Sequence, residues 1–269
     1  MWRRLLHAVA VAAVLAAVAV ALQSTTRLPL PAAAGGVWLL WYALGSILMP
    51  RLAHAAFRAG DTGKARRRYR VLGVLSPGAR DAARVSVAGS WLLDRDWPRA
   101  RRALAAIDGD ALAAPLRAAW LNNRAYGLAR GGAAAEAGVD DGAGPDGGAA
   151  AAAAAAGREA LALIDEALAT RPEVPAFLHT RGLALLAAGR LDEAIRAFEA
   201  VWDTGELDPG LEAERCHDLA VAWERKGHAD YAADYRRRAA QAMPTSPWAQ
   251  AVRVADPATV GQLEELIAG

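Results

Sequence analysis

The residues best suited to chemistry are few: one cysteine, Cys216, beside His217, a second histidine at His179, and the stretch "GDTGKA" from Gly60 to Ala65. A thiol next to an imidazole could make a nucleophile and its base. Neighbouring positions on a helix, however, point about 100° apart. A lone cysteine also excludes an internal disulfide framework and any multi-cysteine metal site. His179 and His217 lack an evident third ligand, so no metal is expected. "GDTGKA" glances at a phosphate-binding loop, but Arg58 stands five positions before Gly63 where Gly is required. Ala65 stands where Ser or Thr would reach magnesium, so the stretch is better read as a turn. HExxH, GxSxG and dinucleotide fingerprints are absent from the sequence. The chain is expected to be no enzyme, with no catalytic residue, cofactor, metal or small-molecule substrate.

With so little catalytic apparatus, the elements themselves carry the information. The 269 residues are 54% hydrophobic and 22% charged, ample for a packed core. A net charge of +2 is too small for a nucleic-acid surface, and no such partner is expected. After "MWRR", an apolar run from Leu5 to Leu22 is followed by "QSTTR" and a second run from about Leu30 to Met49 carrying Trp38, Trp41 and Tyr42. Both runs approach the length that crosses a bilayer, so the sequence predicts a transmembrane helical hairpin at about 5–22 and 30–49. Arg3 and Arg4 precede it, only Arg27 lies in the turn, and seven basic residues from Arg51 to Arg70 follow. That bias puts both ends in the cytoplasm. An alternative, a cleavable signal peptide over residues 1–21 with Ala19 and Ala21 in the cleavage pattern, leaves the second run unchanged. "KARRRYR" at Lys64–Arg70 reads either as a contact for anionic headgroups or as a solvated helix face.

Beyond the hydrophobic runs, a spacing recurs. A turn Gly precedes a small residue by five positions at Gly60 and Ala65, Gly189 and Ala194, and Gly227 and Ala232. A closing Pro lies twelve positions later at Pro77, Pro172 and Pro244, after Ala65, Ala160 and Ala232. Twelve positions earlier stand Ala53, Ala88, Gly182 and Ala220. Small side chains are needed where paired helices touch, Gly where the chain reverses, and Pro where a helix must stop. "PAFLHTRGLALLAAGRLDEAIRAFEA", Pro175 to Ala200, is the clearest unit, and it resembles the tetratricopeptide repeat, an antiparallel helix pair of about 34 residues.

The resemblance implies an all-α fold: the N-terminal hairpin (1–50), an α-α superhelical solenoid of about five repeats (51–250) and a capping helix (251–269). The second repeat lacks its turn Gly and carries "DRDW" instead. In the third, "WLNNRAYGLARGG" fits a first helix with Gly132 as its turn. Its second helix, "GREALALIDEALATRP", is displaced by 23 residues of Ala, Gly and Asp. This insert, at about 133–156, has the composition of a disordered loop, with its Ala run able to extend the following helix.

In tetratricopeptide proteins the first helices line a concave groove. The resemblance carries three groove positions onto this chain: Asn122, His179 and His217; Tyr126, Leu183 and Val221; and Arg130 and Arg225. Such a mixture suits an extended or helical peptide. The family's carboxylate clamp is not matched, since Val85, Gly89, Ala176 and Thr180 occupy clamp positions and only Asn123 fits. Cys216 falls at an inward-packing position. The layout is similar to that of membrane-anchored tetratricopeptide proteins of bacteria. It implies a scaffold or assembly factor of the inner membrane, holding a protein partner in a cytoplasmic groove. The alternative is an accessory subunit that contacts a membrane enzyme or transporter through the hairpin.

Overall fold

The structure, a computed structural model, describes residues 2–26, 29–137, 147–205 and 207–249. All regular structure among them is helical, and the chain divides into two compact units, Met1–Leu116 and Arg117–Gly269. The predicted capping helix at 251–269 lies outside the described residues, as do residues 138–146 of the predicted insert.

In the first unit, α1 (Trp2–Thr26) packs beside α2 (Leu30–Tyr42). A π-helical stretch, Ala43–Leu48, joins α2 to α3 (Met49–Arg58) without a break. Pro50 explains the local widening, because a proline has no N–H for the ladder. The result is one helix of 29 residues, Leu30–Arg58, long and apolar enough to cross a membrane, with only 17% of its apolar window buried. The other apolar helical stretch described in full, Ala13–Thr26, is shorter. Large apolar side chains along both helices are exposed, including Val14, Leu39 and Leu40 at 60% or more.

Helix α4 (Thr62–Leu75) folds back antiparallel on α3, and α5 (Arg80–Leu93) and α6 (Trp97–Ala105) form the next pair. Asp61 and Asp96 cap α4 and α6, accepting from the backbone N–H groups of Lys64 and Arg99. A core of Ala53, Ala56, Ala65, Tyr69, Leu72 and Ala83 ties α3, α4 and α5 together. The basic run is partly consumed inside this unit. Arg66 stacks on Trp91 at 3.8 Å and pairs with Asp94, while Arg68 donates to the Leu52 carbonyl at 2.7 Å.

The second unit holds three further pairs: α7 (Ala114–Ala137) with α8 (Gly147–Thr170), α9 (Pro175–Ala187) with α10 (Leu191–Ala200), and α11 (Pro209–Arg225) with α12 (Ala229–Ala242). Arg117 joins α7 to Glu166 of α8 at 2.8 Å. The recurring small residues are where helices touch: Ala53, Ala65, Ala88, Ala100, Ala125, Ala160, Ala194, Ala220 and Ala232 are all fully buried. At Gly182 a Cβ would meet the Phe198 ring at 2.5 Å, so α9 and α10 approach as closely as a side chain on that face allows.

Gly60, Gly189 and Gly227 all adopt positive φ, at 75°, 77° and 84°. The unit without a turn Gly puts Arg95 of "DRDW" there instead, with φ of 57°. Gly132 departs from the expectation. Helix α7 runs through it to Ala137, and α8 begins at Gly147, so helix covers much of the stretch expected to be disordered. Alanine has the highest helix propensity of any residue, and here it overrides the turn signal.

Candidate functional site

The first helices of the second unit, α7, α9 and α11, meet through a network of polar and charged side chains. Tyr126 and Arg130 stand one turn apart on α7, and Glu214 and Asp218 one turn apart on α11, so each pair shares a helix face. The Tyr126 hydroxyl donates to Glu214 Oε1 at 2.6 Å. Arg130 Nη2 donates to the same oxygen at 2.8 Å and to Asp218 Oδ2 at 2.6 Å. His179 Nε2 of α9 lies 3.0 Å from Asp218 Oδ2, and its ring packs on Phe198 with centroids 5.4 Å apart.

This network is dry. The side chains of Asp218 and His179 are 1% and 2% exposed, and those of Glu214 and Arg130 11% and 15%. Burial alone would push the Asp218 carboxyl up, but Arg130 and His179 together outweigh it and hold Asp218 below the usual carboxylate range. For Arg130 burial acts against the charge, yet Asp218 and Glu214 hold its proton more firmly than usual. The Tyr126 hydroxyl is driven well up by burial first and by the Glu214 charge second, so it remains a donor at neutral pH. Asp218 Oδ1 and Arg130 Nε are buried without a hydrogen-bond partner, as is Asn122 Oδ1 nearby on α7.

His179, Glu214 and Asp218 bring three potential ligand atoms within 4.8 Å of one another. Arg130 already occupies that position, bonding both carboxylates, so a metal ion would have to displace a buried guanidinium from its partners. The set fits an ion-paired structural network better than a metal centre.

The predicted groove residues therefore have different fates. Tyr126, Arg130 and His179 are brought together through Glu214 and Asp218. His179 and Leu183, at 1% and 3% exposure, are interior rather than groove-lining, because the α11 carboxylates and the Phe198 ring cover α9. Asn122, His217 and Val221 are half-buried, and Arg225 is exposed with Nη1 near the Leu186 carbonyl at 3.4 Å. His217 packs on Trp248 at 5.2 Å, and the same indole lies under the Arg130 guanidinium at 4.3 Å. Ser246 positions that indole by capping a helical turn, its hydroxyl accepting from the Ala249 N–H at 3.1 Å. Glu214, Asp218 and Trp248 are the residues that sequence reasoning missed. The available signal was two acids four positions apart on a first helix, facing a row that already held an arginine.

Cys216 is fully buried, as its repeat position implied. Burial first, then Glu212, pushes its thiol up to about 12, so it is protonated at neutral pH and does not serve as a nucleophile there. Arg215 beside it grips Glu212 through two bonds of 2.7 Å and lies under Trp202 at 4.5 Å.

Paired antiparallel helices, small residues at their contacts and left-handed turns define a tetratricopeptide-type helical-repeat fold. No known protein-family profile matches the chain. Over 76 residues, 28% of its length, it is 43% identical to the TPR repeat-containing thioredoxin TTL4 of Arabidopsis thaliana, and it spans only 10% of that relative. Among solved structures it is similar to TTC0263, a thermophilic TPR protein of Thermus thermophilus. That likeness has 16% identity, covers 76% of this chain and 93% of the other, and has a TM-score of 0.54. YrrB, a TPR protein with an unusual peptide-binding site, aligns at 16% identity over 77% of this chain and 91% of its own, with a TM-score of 0.38. At 16% identity the likeness to TTC0263 concerns the fold alone.

Proposed function

We propose that this chain is a membrane-anchored tetratricopeptide scaffold or assembly factor that holds a protein or peptide partner on the cytoplasmic side of a bacterial-type inner membrane. One observation carries the reading: the helix Leu30–Arg58 is apolar, largely exposed and continuous with the first helix of the first repeat. A core helix would be buried. This one presents Trp38, Leu39 and Leu40 outward, which a bilayer satisfies and water does not. With α1 beside it the anchor is a hairpin, and the excess of arginine after Leu30–Met49 orients the repeats to the cytoplasm.

The partner surface in this reading is the accessible face of α7 and α11 in the second unit, around Asn122, Tyr126, His217, Val221 and Arg225. The buried network behind it fixes the spacing of the first helices, so the surface is pre-organised. The chain acts by binding, without turnover.

Two measurements test this. Alkaline carbonate extraction should leave the full chain in the membrane pellet, and a reporter fused at Gly269 should be active only on the cytoplasmic side. Partners crosslinked to the wild type in cells should be lost from a variant carrying Asn122→Ala, His217→Ala and Val221→Ala. Retention in that variant, with loss only when residues 1–50 are replaced by an unrelated hairpin, would establish instead an accessory subunit that docks through its anchor.

A further inference from the structure

In the first unit a shallow pocket of about 460 Å³ opens between the end of α4, the start of α5 and the end of α6. Its floor is apolar, built by Val74, Val87 and Ile107 among others, and three arginines, Arg70, Arg80 and Arg84, line it. Arg70 and Arg84 are exposed and Arg80 half-buried, and Asp81 lies 3.9 Å from Arg84. An apolar trough edged by three cations is complementary to an amphiphile with an anionic head.

The level of this pocket along the anchor helix is set by the antiparallel register of α3 and α4. Arg68 bonds the Leu52 carbonyl, and further along, the Leu75 carbonyl lies 3.4 Å from where a Cβ on Gly45 would be. The same register brings Arg70 level with Pro50, at the junction between the apolar run ending at Met49 and the first charged residue, Arg51. Gly45, abreast of the end of α4, lies about 6 Å inside that apolar run at the rise of an α-helix. With Leu30–Arg58 spanning a membrane, the level of the pocket mouth is where phosphate headgroups meet the hydrocarbon edge. Val71 and Val74, 45% and 56% exposed on the last turns of α4, continue the apolar surface there.

We infer that this pocket binds one anionic phospholipid of the leaflet in which the repeats stand, with the phosphate held by Arg70, Arg80 and Arg84 and the glycerol and upper acyl chain on the apolar floor. The inference rests on Leu30–Arg58 spanning the membrane. It also divides the basic run by role: Arg66 and Arg68 are consumed within the repeat, and Arg70 turns to the lipid.

The experiment is native mass spectrometry of the detergent-solubilised full chain titrated with phosphatidylglycerol or phosphatidylcholine. The wild type should retain one phosphatidylglycerol at concentrations where phosphatidylcholine does not bind. The triple variant Arg70→Gln, Arg80→Gln, Arg84→Gln should bind it on the order of 100-fold more weakly at low salt. A control with Arg171→Gln, Arg196→Gln and Arg237→Gln, equal in charge but in the second unit, should bind as wild type. Val74→Glu, which leaves the arginines in place, should also lose the lipid. Equal binding by the triple variant and the control, or equal retention of phosphatidylcholine, overturns the site. So does displacement of the lipid by millimolar inorganic phosphate, which would assign the arginines to the free anion. Carbonate extraction of wild type and variants is read separately: release of the wild type defeats the spanning helix, whereas lipid loss with the protein still in the pellet concerns the pocket alone.

Discussion

The two units solve the same packing problem with different chemistry. In the first, the helix pairs meet through alanines and through Phe57 on Tyr69, and Arg66 pairs with an acid that water reaches. Arg66 there is itself only 12% exposed, with Trp91 beneath it, but the acid beside it, Asp94, is 30% exposed. In the second, the same alanine contacts are supplemented by an ion network sealed between α7, α9 and α11. Loss of Arg66 would leave Asp94 within reach of water, so that pairing contributes little. A sealed arginine is worth most when its loss is considered, because two carboxylates would remain buried without a counter-charge. The first unit therefore tolerates the loss of Arg66 better than the second tolerates the loss of Arg130.

The largest expected break in that contrast is Arg130→Ala. It should destabilise the second unit by about 3–5 kcal/mol, whereas Arg66→Ala, which forfeits the Trp91 contact but leaves an acid that water reaches, should cost about 1–2 kcal/mol in the first. Hydrogen exchange read separately over α3–α6 and α7–α12 checks this, and equal losses for the two variants would remove the distinction. Next comes Gly182→Val, which drives a side chain into Phe198 and should cost about 1–3 kcal/mol by denaturant titration.

Acidity should separate the units as well. Asp218 has its folded-state pKa below the unfolded value of about 3.9, so its contribution is present above that pH and fades as pH falls through the lowered value. Tyr126 has a raised pKa, so its contribution is complete below about pH 10 and declines above it. Protection of α7 and α11 should accordingly fall at both extremes, and the acid arm should vanish in Asp218→Asn. The smallest effect belongs to the turns. Gly189→Ala should cost about 1 kcal/mol, while Arg95→Gly, which relieves a non-glycine residue at positive φ, should stabilise by a few tenths to 1 kcal/mol.

Much of the helix pairing was legible because it rests on local rules. Gly60, Gly189 and Gly227 mark left-handed turns, and Pro77, Pro172 and Pro244 each stand just past the end of a helix. Two local signals misled. Gly132 sits in a stretch so rich in alanine that the helix continues through it, and Arg95 shows that a turn can be closed without the glycine that announces it. The site was less legible. Tyr126, Arg130 and His179 stood in the right row, but their partners did not, since a carboxylate on α11 declares nothing about an arginine 84 or 88 positions earlier.

The sequence by itself determined much of the repeat: where most helices start and stop, and which faces are small. These follow from propensity, capping and periodicity, which act over a few residues. Only the tertiary structure decided which charges are sealed and which stay at the surface. It buried His179 and Leu183 out of the expected groove, laid Trp248 on Arg130 and His217, and set Arg70 level with the edge of the apolar run. Burial and electrostatic pairing depend on what lies across the fold, and no short stretch of chain contains that neighbour.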